Sequence, residues 1–283
     1  MAGNRILLWR HGQTDWNVAN RFQGHSDIPL NTLGQYQARH AAEILAGMEP
    51  TAIISSDLDR AQKTAQSLAE IVNLDVSIDV RLRETNGGNW EGKTGEENRK
   101  NDYERFVKWI DGTDEKAGEI GERRSEVAER ALAAIERALI DLDGTLVVVT
   151  HGGTARCTLG KILNLPQAEW SVIGGLSNAA WSIVERGVNP LDHRDKWVLV
   201  EHNAGSLPEA SNTASNWPLS ALYLSSNSGW VLRLMVSSAP ISLAHFKGRS
   251  AMSAATMRAA PARRKAPMSS EPMGPQPVTK TCL

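Results

Sequence analysis

The chain has few cysteines, few phenylalanines and tyrosines, and no long apolar segment. Its 283 residues include two cysteines, three phenylalanines and three tyrosines. Cys157 and Cys282 are too far apart in sequence to suggest a disulfide framework, so a reducing compartment is favoured. The apolar run at residues 6–9 is too short for the core of a signal peptide, and no uninterrupted run is long enough to cross a membrane. We therefore expect a cytoplasmic protein with no membrane partner.

The chain also lacks a basic excess. It has 31 Lys and Arg against 32 Asp and Glu, for a formal net charge of −1, whereas nucleic-acid-binding domains are strongly basic. We therefore expect no nucleic-acid partner. Four of the histidines, His25, His40, His193 and His202, show no metal-ligand spacing. The sequence therefore predicts no metal and no cofactor.

The first 212 residues alternate between strand-like and helix-like segments. Such alternation is typical of an α/β fold with three layers, in which a mostly parallel central sheet lies between helices. Ligands of such folds bind beyond the carboxyl ends of the strands. The predicted strands are 6–9, 52–55, 76–80, 145–150, 178–185 and 197–202, and the predicted helices are 31–45, 58–72, 103–110, 125–142 and 154–163.

Two parts of the chain depart from this alternation. Residues 87–121 are polar, charged and glycine-containing, which indicates an excursion from the sheet that could serve as a lid. After Ser211, serine, alanine and proline dominate, and neither the apolar period of a helix nor that of a strand is sustained. We expect one folded domain over 1–212 and a disordered or dispensable extension over 213–283. Translation out of the ancestral reading frame is the other explanation of this extension.

Two strand-like runs are each followed by histidine and glycine. Arg10-His11-Gly12 ends the first run, and Thr150-His151-Gly152 ends the strongest predicted strand. A single His-Gly pair is more often a turn with a solvated histidine. The repeated arrangement predicts that two strand ends present two imidazoles to one pocket, where anion chemistry is the first hypothesis.

Arg60 is predicted to lie in the first turn of a helix that directly follows a short strand. Backbone N–H groups and the helix dipole favour an anion at that position, and a guanidinium adds a bidentate fork. The alternative is a surface arginine paired with Asp57 or Asp59.

The order of four motifs resembles the histidine phosphatase superfamily, whose founding members are the cofactor-dependent phosphoglycerate mutases. The resemblance covers residues 5–203 and implies the phosphoglycerate mutase-like fold. The motifs are residues 10–14 with Asn17, residues 55–61 with Thr64-Ala65, residues 82–84 with 88–92, and residues 150–153.

The resemblance also implies residue roles. His11 would be the nucleophile that is phosphorylated during turnover, and Glu84 would protonate the leaving alcohol and then serve as base for water. The alternative for Glu84 is an ion pair with Arg81 or Arg83. The side chains expected to bind the phosphoryl group or a substrate oxygen are Arg10, His11, Asn17, Gln23, Arg60 and His151.

In the mutases, the residue that corresponds to Glu84 is followed by a longer segment that contains a tyrosine. Residues 84–92 of this chain instead have the shorter form that is typical of hydrolytic members. We therefore expect a metal-independent phosphomonoesterase that acts on a small molecule. A mutase and a non-catalytic phospho-ligand binding protein remain the alternatives. Residues 83–85, 90–92 and 174–181 look like the actinobacterial branch that includes glucosyl-3-phosphoglycerate phosphatases, although residues 120–125 depart from the usual Gly-Gly-Glu-Ser. A homodimer is the further family-based expectation.

Overall fold

The computed structural model describes residues 5–188, 193 and 195–205. The predicted extension at 213–283 lies outside these residues. Short 3-10 helices span Val80–Leu82, Gly88–Trp90 and Gln167–Val172. The strands in the described part are β1 (Arg5–Arg10), β2 (Pro50–Ser55), β3 (Val76–Ile78), β4 (Thr145–Thr150), β5 (Trp181–Val188) and β6 (Asp195–Ala204). The helices there are α1 (Asp15–Val18), α2 (Thr32–Ala46), α3 (Asp59–Val72), α4 (Gly95–Asn101), α5 (Tyr103–Ile110), α6 (Arg124–Ala138) and α7 (Gly152–Ile162).

The strands form one mixed sheet in the order β3-β2-β4-β1-β5-β6. β4 lies parallel to both β1 and β2, and β2 lies parallel to β3. β5 and β6 are antiparallel additions at one side. The predicted three-layer fold with a mostly parallel sheet is confirmed. Because β1 and β4 are central neighbours, the loops after them start side by side.

Side chains of β1 enter two separate cores, one on each face of the sheet. Leu7 and Trp9 pack with residues of α2 and α3, whereas Ile6 and Leu8 pack with residues of α6 and α7. Every residue of β4 is buried. A strand buried on both faces reads as a continuous apolar run, which is why residues 145–150 gave the clearest strand pattern.

Several element ends follow local chemistry that periodicity does not show. The Asn31 side chain accepts a 2.8 Å hydrogen bond from the Gly34 N–H and caps α2, as predicted. β3 ends at Ile78, two residues before the predicted end, because the Asp79 carboxylate accepts from the Arg81 N–H and starts a 3-10 turn. The predicted helix over 125–142 is wrong at its end, since α6 stops at Ala138.

The segment 87–121 contains two helices, of which α5 was predicted and α4 was not. The missed α4 carries a capping box, in which the side chains of Thr94 and Glu97 each bind the other's backbone N–H. The segment packs on a small apolar cluster of its own, formed by Trp90, Trp109 and Ala117. Among the described residues, no helix is long and apolar enough to cross a membrane.

Candidate active site

The two imidazoles of the His-Gly pairs meet at the carboxyl edge of the sheet. Arg10 and Thr150 are register partners at the ends of β1 and β4, and the His11 N–H donates to the Thr150 carbonyl at 3.0 Å. The ring centroids of His11 and His151 are 5.1 Å apart, and both residues are buried. The solvated turn is therefore wrong for both histidines, and the parallel pairing of the strands explains their convergence.

His11 is held as a neutral imidazole with a defined tautomer. Its Nδ1 lies 2.6 Å from the Gly12 carbonyl oxygen, and a carbonyl can only accept, so the proton is on Nδ1 and Nε2 is free to attack. Burial lowers the pKa of His11 well below its usual value, and the charges of Arg10 and Arg60 lower it further. A neutral ring is the form that a nucleophilic histidine requires.

Two glycines allow the loop after β1 to turn tightly. A Cβ on Gly12 would lie 2.2 Å from the Gly34 carbonyl oxygen, and a Cβ on Gly34 would lie 2.0 Å from the Gln13 carbonyl oxygen. The Gly12 N–H also donates to the Thr64 hydroxyl on α3 at 3.1 Å. The loop that carries His11 is thus pressed against the start of α2 at a distance that only glycine permits.

Arg60 is fully buried at the second position of α3. Its guanidinium donates to the carbonyl oxygens of Ser26 and Gly24, at 2.8 and 2.9 Å, while Nε has no partner in the described part of the chain. Asp57 instead pairs with Arg83, through contacts of 2.5 and 2.7 Å. The surface pairing considered for Arg60 is wrong, because its charge faces the site.

Arg10 and His151 complete the group of buried nitrogens. Arg10 donates to the Leu176 carbonyl, and its pKa is lowered by burial although Glu84 opposes this. His151 Nε2 lies 2.9 Å from the Ser56 hydroxyl, whereas its Nδ1 is buried with no partner in the described residues. Burial and then the charge of Arg60 lower the pKa of His151 well below its usual value. Buried nitrogens without acceptors suit a site that receives an anion.

Glu84 lies at the amino end of α7. Its carboxylate accepts from the backbone N–H groups of Gly153 and Thr154, each at 3.0 Å, and of Thr85 at 2.8 Å. A helix amino terminus stabilises a carboxylate. The ion pairs considered for Glu84 are wrong. Arg81 binds Asp79, and Arg83 binds Asp57.

Asn17 and Gln23 are oriented by Thr14. The Asn17 amide oxygen accepts from the Thr14 N–H at 3.0 Å, and the Gln23 amide oxygen accepts from the Thr14 hydroxyl at 3.0 Å. Asn178, which sequence reasoning missed, donates to the Asn17 oxygen at 3.0 Å. The sequence predicts a strand from residue 178, but this start is wrong, because Ala179 has a left-handed φ of 57° and the strand begins only at Trp181.

Six of the seven predicted site residues line one cavity of about 250 Å³, and His151 is buried behind it against His11. A larger cavity of about 660 Å³ between α2 and α3 holds neither imidazole. Within the described residues, no group of three or more His, Cys, Asp or Glu could hold a metal ion. The smaller cavity is lined by Arg10, His11, Asn17, Arg21, Phe22, Gln23, Gly24, Arg60, Glu84, Thr85, Trp109, Arg124, Gly153, Arg156 and Cys157.

Sequence reasoning missed several cavity residues. Arg156 follows Gly153 by three positions on α7, so the two share a helix face, and this spacing was the available signal. Arg124 starts α6 within the motif that departs from Gly-Gly-Glu-Ser. Cys157 also reaches the cavity, but burial raises its thiol pKa to about 12, which makes it a poor nucleophile.

The profile of the histidine phosphatase superfamily (branch 1) matches residues 6–204. The chain belongs to this superfamily.

Among its relatives, a glucosyl-3-phosphoglycerate phosphatase from Mycobacterium tuberculosis is 38% identical over 190 residues, which are 64% of this chain and 85% of the relative. The solved structure of the mycobacterial glucosyl-3-phosphoglycerate phosphatase complexed with VO3 has a TM-score of 0.66 and 36% identity, and the match covers 71% of this chain and 99% of that one. A protein from Serratia proteamaculans named probable phosphoglycerate mutase GpmB is 36% identical over 169 residues, which are 57% of this chain and 76% of that protein. Because relatives that share this superfamily domain are named phosphatases, the chain is assigned as a phosphoric monoester hydrolase.

Proposed function

We propose that this chain hydrolyses a small phosphomonoester through a phosphohistidine formed on His11, without a metal. The observation that carries the proposal is the neutral His11 ring, whose Nε2 is free and which lies beside the guanidiniums of Arg10 and Arg60. Positive donors around the phosphoryl oxygens reduce the repulsion that protects a phosphate monoester from a nucleophile. Asn17, Gln23 and His151 add neutral polar contacts to the same group.

In the first half of the reaction, His11 Nε2 forms a bond to phosphorus as the bond from phosphorus to the substrate oxygen breaks. Glu84 gives its proton to that oxygen, so that an alcohol leaves. The backbone N–H groups of Gly153 and Thr154 hold the carboxyl group of Glu84 at the cavity wall, within the same cavity as His11. In the second half, water attacks phosphorus, Glu84 takes a proton from that water, and the N–P bond breaks to release phosphate.

For the substrate we propose glucosyl-3-phosphoglycerate, which the names of the phosphatase relatives support. The alternative is a phosphoglycerate mutase, which the Serratia relative supports. A cytoplasmic location and a homodimer stay predictions from the sequence.

The test is phosphate release from glucosyl-3-phosphoglycerate and 3-phosphoglycerate, with His11→Ala as the blank. We expect the blank to lose at least ~10²-fold in rate, because the nucleophile is removed. His40→Ala, which changes a histidine of α2 outside the cavity, should retain activity. Interconversion of 2- and 3-phosphoglycerate without phosphate release would identify the mutase instead, and saturable binding without turnover would identify a binding protein.

A further inference from the structure

The cavity holds more positive charge than one phosphoryl group needs. Its lining includes five arginines and a single carboxylate, that of Glu84. Arg10 and Arg60 lie beside the two imidazoles, and Arg21 pairs with Glu97 at the rim. The two arginines that remain, Arg124 and Arg156, have no part in binding the phosphoryl group in the mechanism above.

Arg124 and Arg156 lie near each other on two packed helices. The charge of Arg156 contributes to lowering the pKa of Arg124, after the larger effect of burial. Arg124 begins α6 and places its guanidinium carbon 4.2 Å from the centroid of the Trp109 ring. Arg156 follows the Glu84-binding turn of α7, since Gly153 and Thr154 donate to that carboxylate. The pair therefore borders the side of the cavity where the leaving group must lie.

Neither guanidinium has a protein acceptor among the described residues. Arg156 Nε is buried without a partner, and neither side chain makes a hydrogen bond or an ion pair within the described ranges. Two other arginines, at the start of α6 and within it, do have protein acceptors. Arg123 donates to the Asp114 carbonyl, and Arg130 binds Glu122 and three carbonyl oxygens. Like charges held together without a counterion cost free energy, so the arrangement suits an anionic ligand.

We propose that Arg124 and Arg156 bind a second anionic group of the substrate, a carboxylate that leaves with the alcohol. This inference rests on the proposed phosphomonoesterase function and adds the residues that select the substrate. A guanidinium fork matches a carboxylate or a phosphate. In a cavity of about 250 Å³ that must also hold the transferred phosphoryl group, the carboxylate is the smaller ligand. The Trp109 ring backs Arg124 and limits its freedom, which reduces the entropy lost on binding.

The test compares two substrates that differ only in the group at issue. 3-Phosphoglycerate carries a carboxylate where glycerol 3-phosphate carries a hydroxymethyl group. We expect the wild-type protein to prefer 3-phosphoglycerate by about tenfold or more in kcat/KM, the usual size of one charge-assisted contact. Arg124→Gln and Arg156→Gln should each reduce this preference about tenfold through KM, with little change for glycerol 3-phosphate. The adjacent Arg123→Gln, a matched control, should keep the wild-type preference.

Three results would overturn the inference. They are equal kcat/KM for the two substrates, an equal loss on both in the Arg124 and Arg156 variants, and a preference for 1,3-propanediol bisphosphate over 3-phosphoglycerate. Unfolding midpoints of the variants, compared with that of wild type, show whether the fold is retained. Binding of both compounds to the unreacted protein, measured by calorimetry, separates the two proposals. If neither compound nor glucosyl-3-phosphoglycerate releases phosphate, the proposed function fails. An Arg124-dependent binding preference then supports the carboxylate site, while its absence refutes it.

Discussion

Lowering the pH from 7 to 5 should reduce the stability of the fold, because His11 and His151 are buried as neutral rings. In both residues burial is the largest cause of the lowered pKa, and nearby arginines add to it. In the unfolded chain a histidine titrates near 6.5. Below that pH the unfolded chain takes up protons that the folded protein does not, so the free energy of unfolding falls as the pH falls.

The magnitude follows from the same linkage. A histidine that stays neutral in the folded protein and has an unfolded pKa near 6.5 costs about 2 kcal/mol of stability at pH 5, relative to neutral pH. The two buried rings together cost about 4 kcal/mol, a large part of the stability of a typical domain. Carboxylates with lowered pKa, such as Asp57 and Asp79, lose their stabilising effect only at lower pH, outside this window.

Urea unfolding at pH 7, 6 and 5 measures the effect. His11→Gln should remove about half of the pH effect, because glutamine takes up no proton. The free energy of unfolding of this variant should therefore fall between pH 7 and 5 by about 2 kcal/mol less than that of wild type. Ser67→Ala, on the exposed side of α3, should keep the wild-type pH dependence. The reasoning is refuted if His11→Gln and wild type lose the same stability over this range.

Two further substitutions test the acid and the loop. Glu84→Gln should slow the first release of alcohol from alkyl phosphates ~10²- to 10⁴-fold, since the leaving alcohol then receives no proton. The first release of p-nitrophenol from p-nitrophenyl phosphate, whose leaving group needs no proton, should slow far less, although later turnovers of both substrates lose the base for water; equal losses in the first release would contradict the role as acid. Gly34→Ala should cost about 1–3 kcal/mol in urea unfolding, because its Cβ would lie 2.0 Å from the Gln13 carbonyl oxygen. Gly47→Ala, whose Cβ would lie 3.3 Å from its nearest neighbour, is the control, and similar costs for the two would contradict the packing argument.

The parts of the fold that the sequence predicts are those with strong periodicity. β1 and β4 are buried apolar runs, and the glycine-bounded loops after them mark where parallel strands end. The parallel pairing of such neighbours brings His11 and His151 together, so the core of the site is predictable from strand order. The roles of Arg60 and Glu84 in the site were predicted from the motif resemblance. Their positions in the sequence alone were equally consistent with ion pairs to neighbouring residues.

Other features depend on contacts between distant segments, which periodicity does not record. The end of β3 is set by the Asp79 side chain, and the place of Asn178 in the site follows from the left-handed backbone at Ala179. Arg124 and Arg156 are 32 positions apart. The spacing of Arg156 from Gly153 places it on the site face of α7, but nothing in the sequence indicates that Arg124 shares the same cavity. The packing of α6 against α7 brings them together, and only the three-dimensional structure shows that neither has an acceptor in the described part.

The most direct test of the account is to trap the phosphorylated protein. Wild type and His11→Ala are mixed with substrate, quenched in alkali, which preserves phosphohistidine, and analysed by peptide mass spectrometry. The account predicts a phosphoryl group on His11 in the wild type, formed and lost at rates that match turnover, and none in the variant. Phosphate release at the wild-type rate from His11→Ala, or a phosphoryl group on a different residue during turnover, would contradict it.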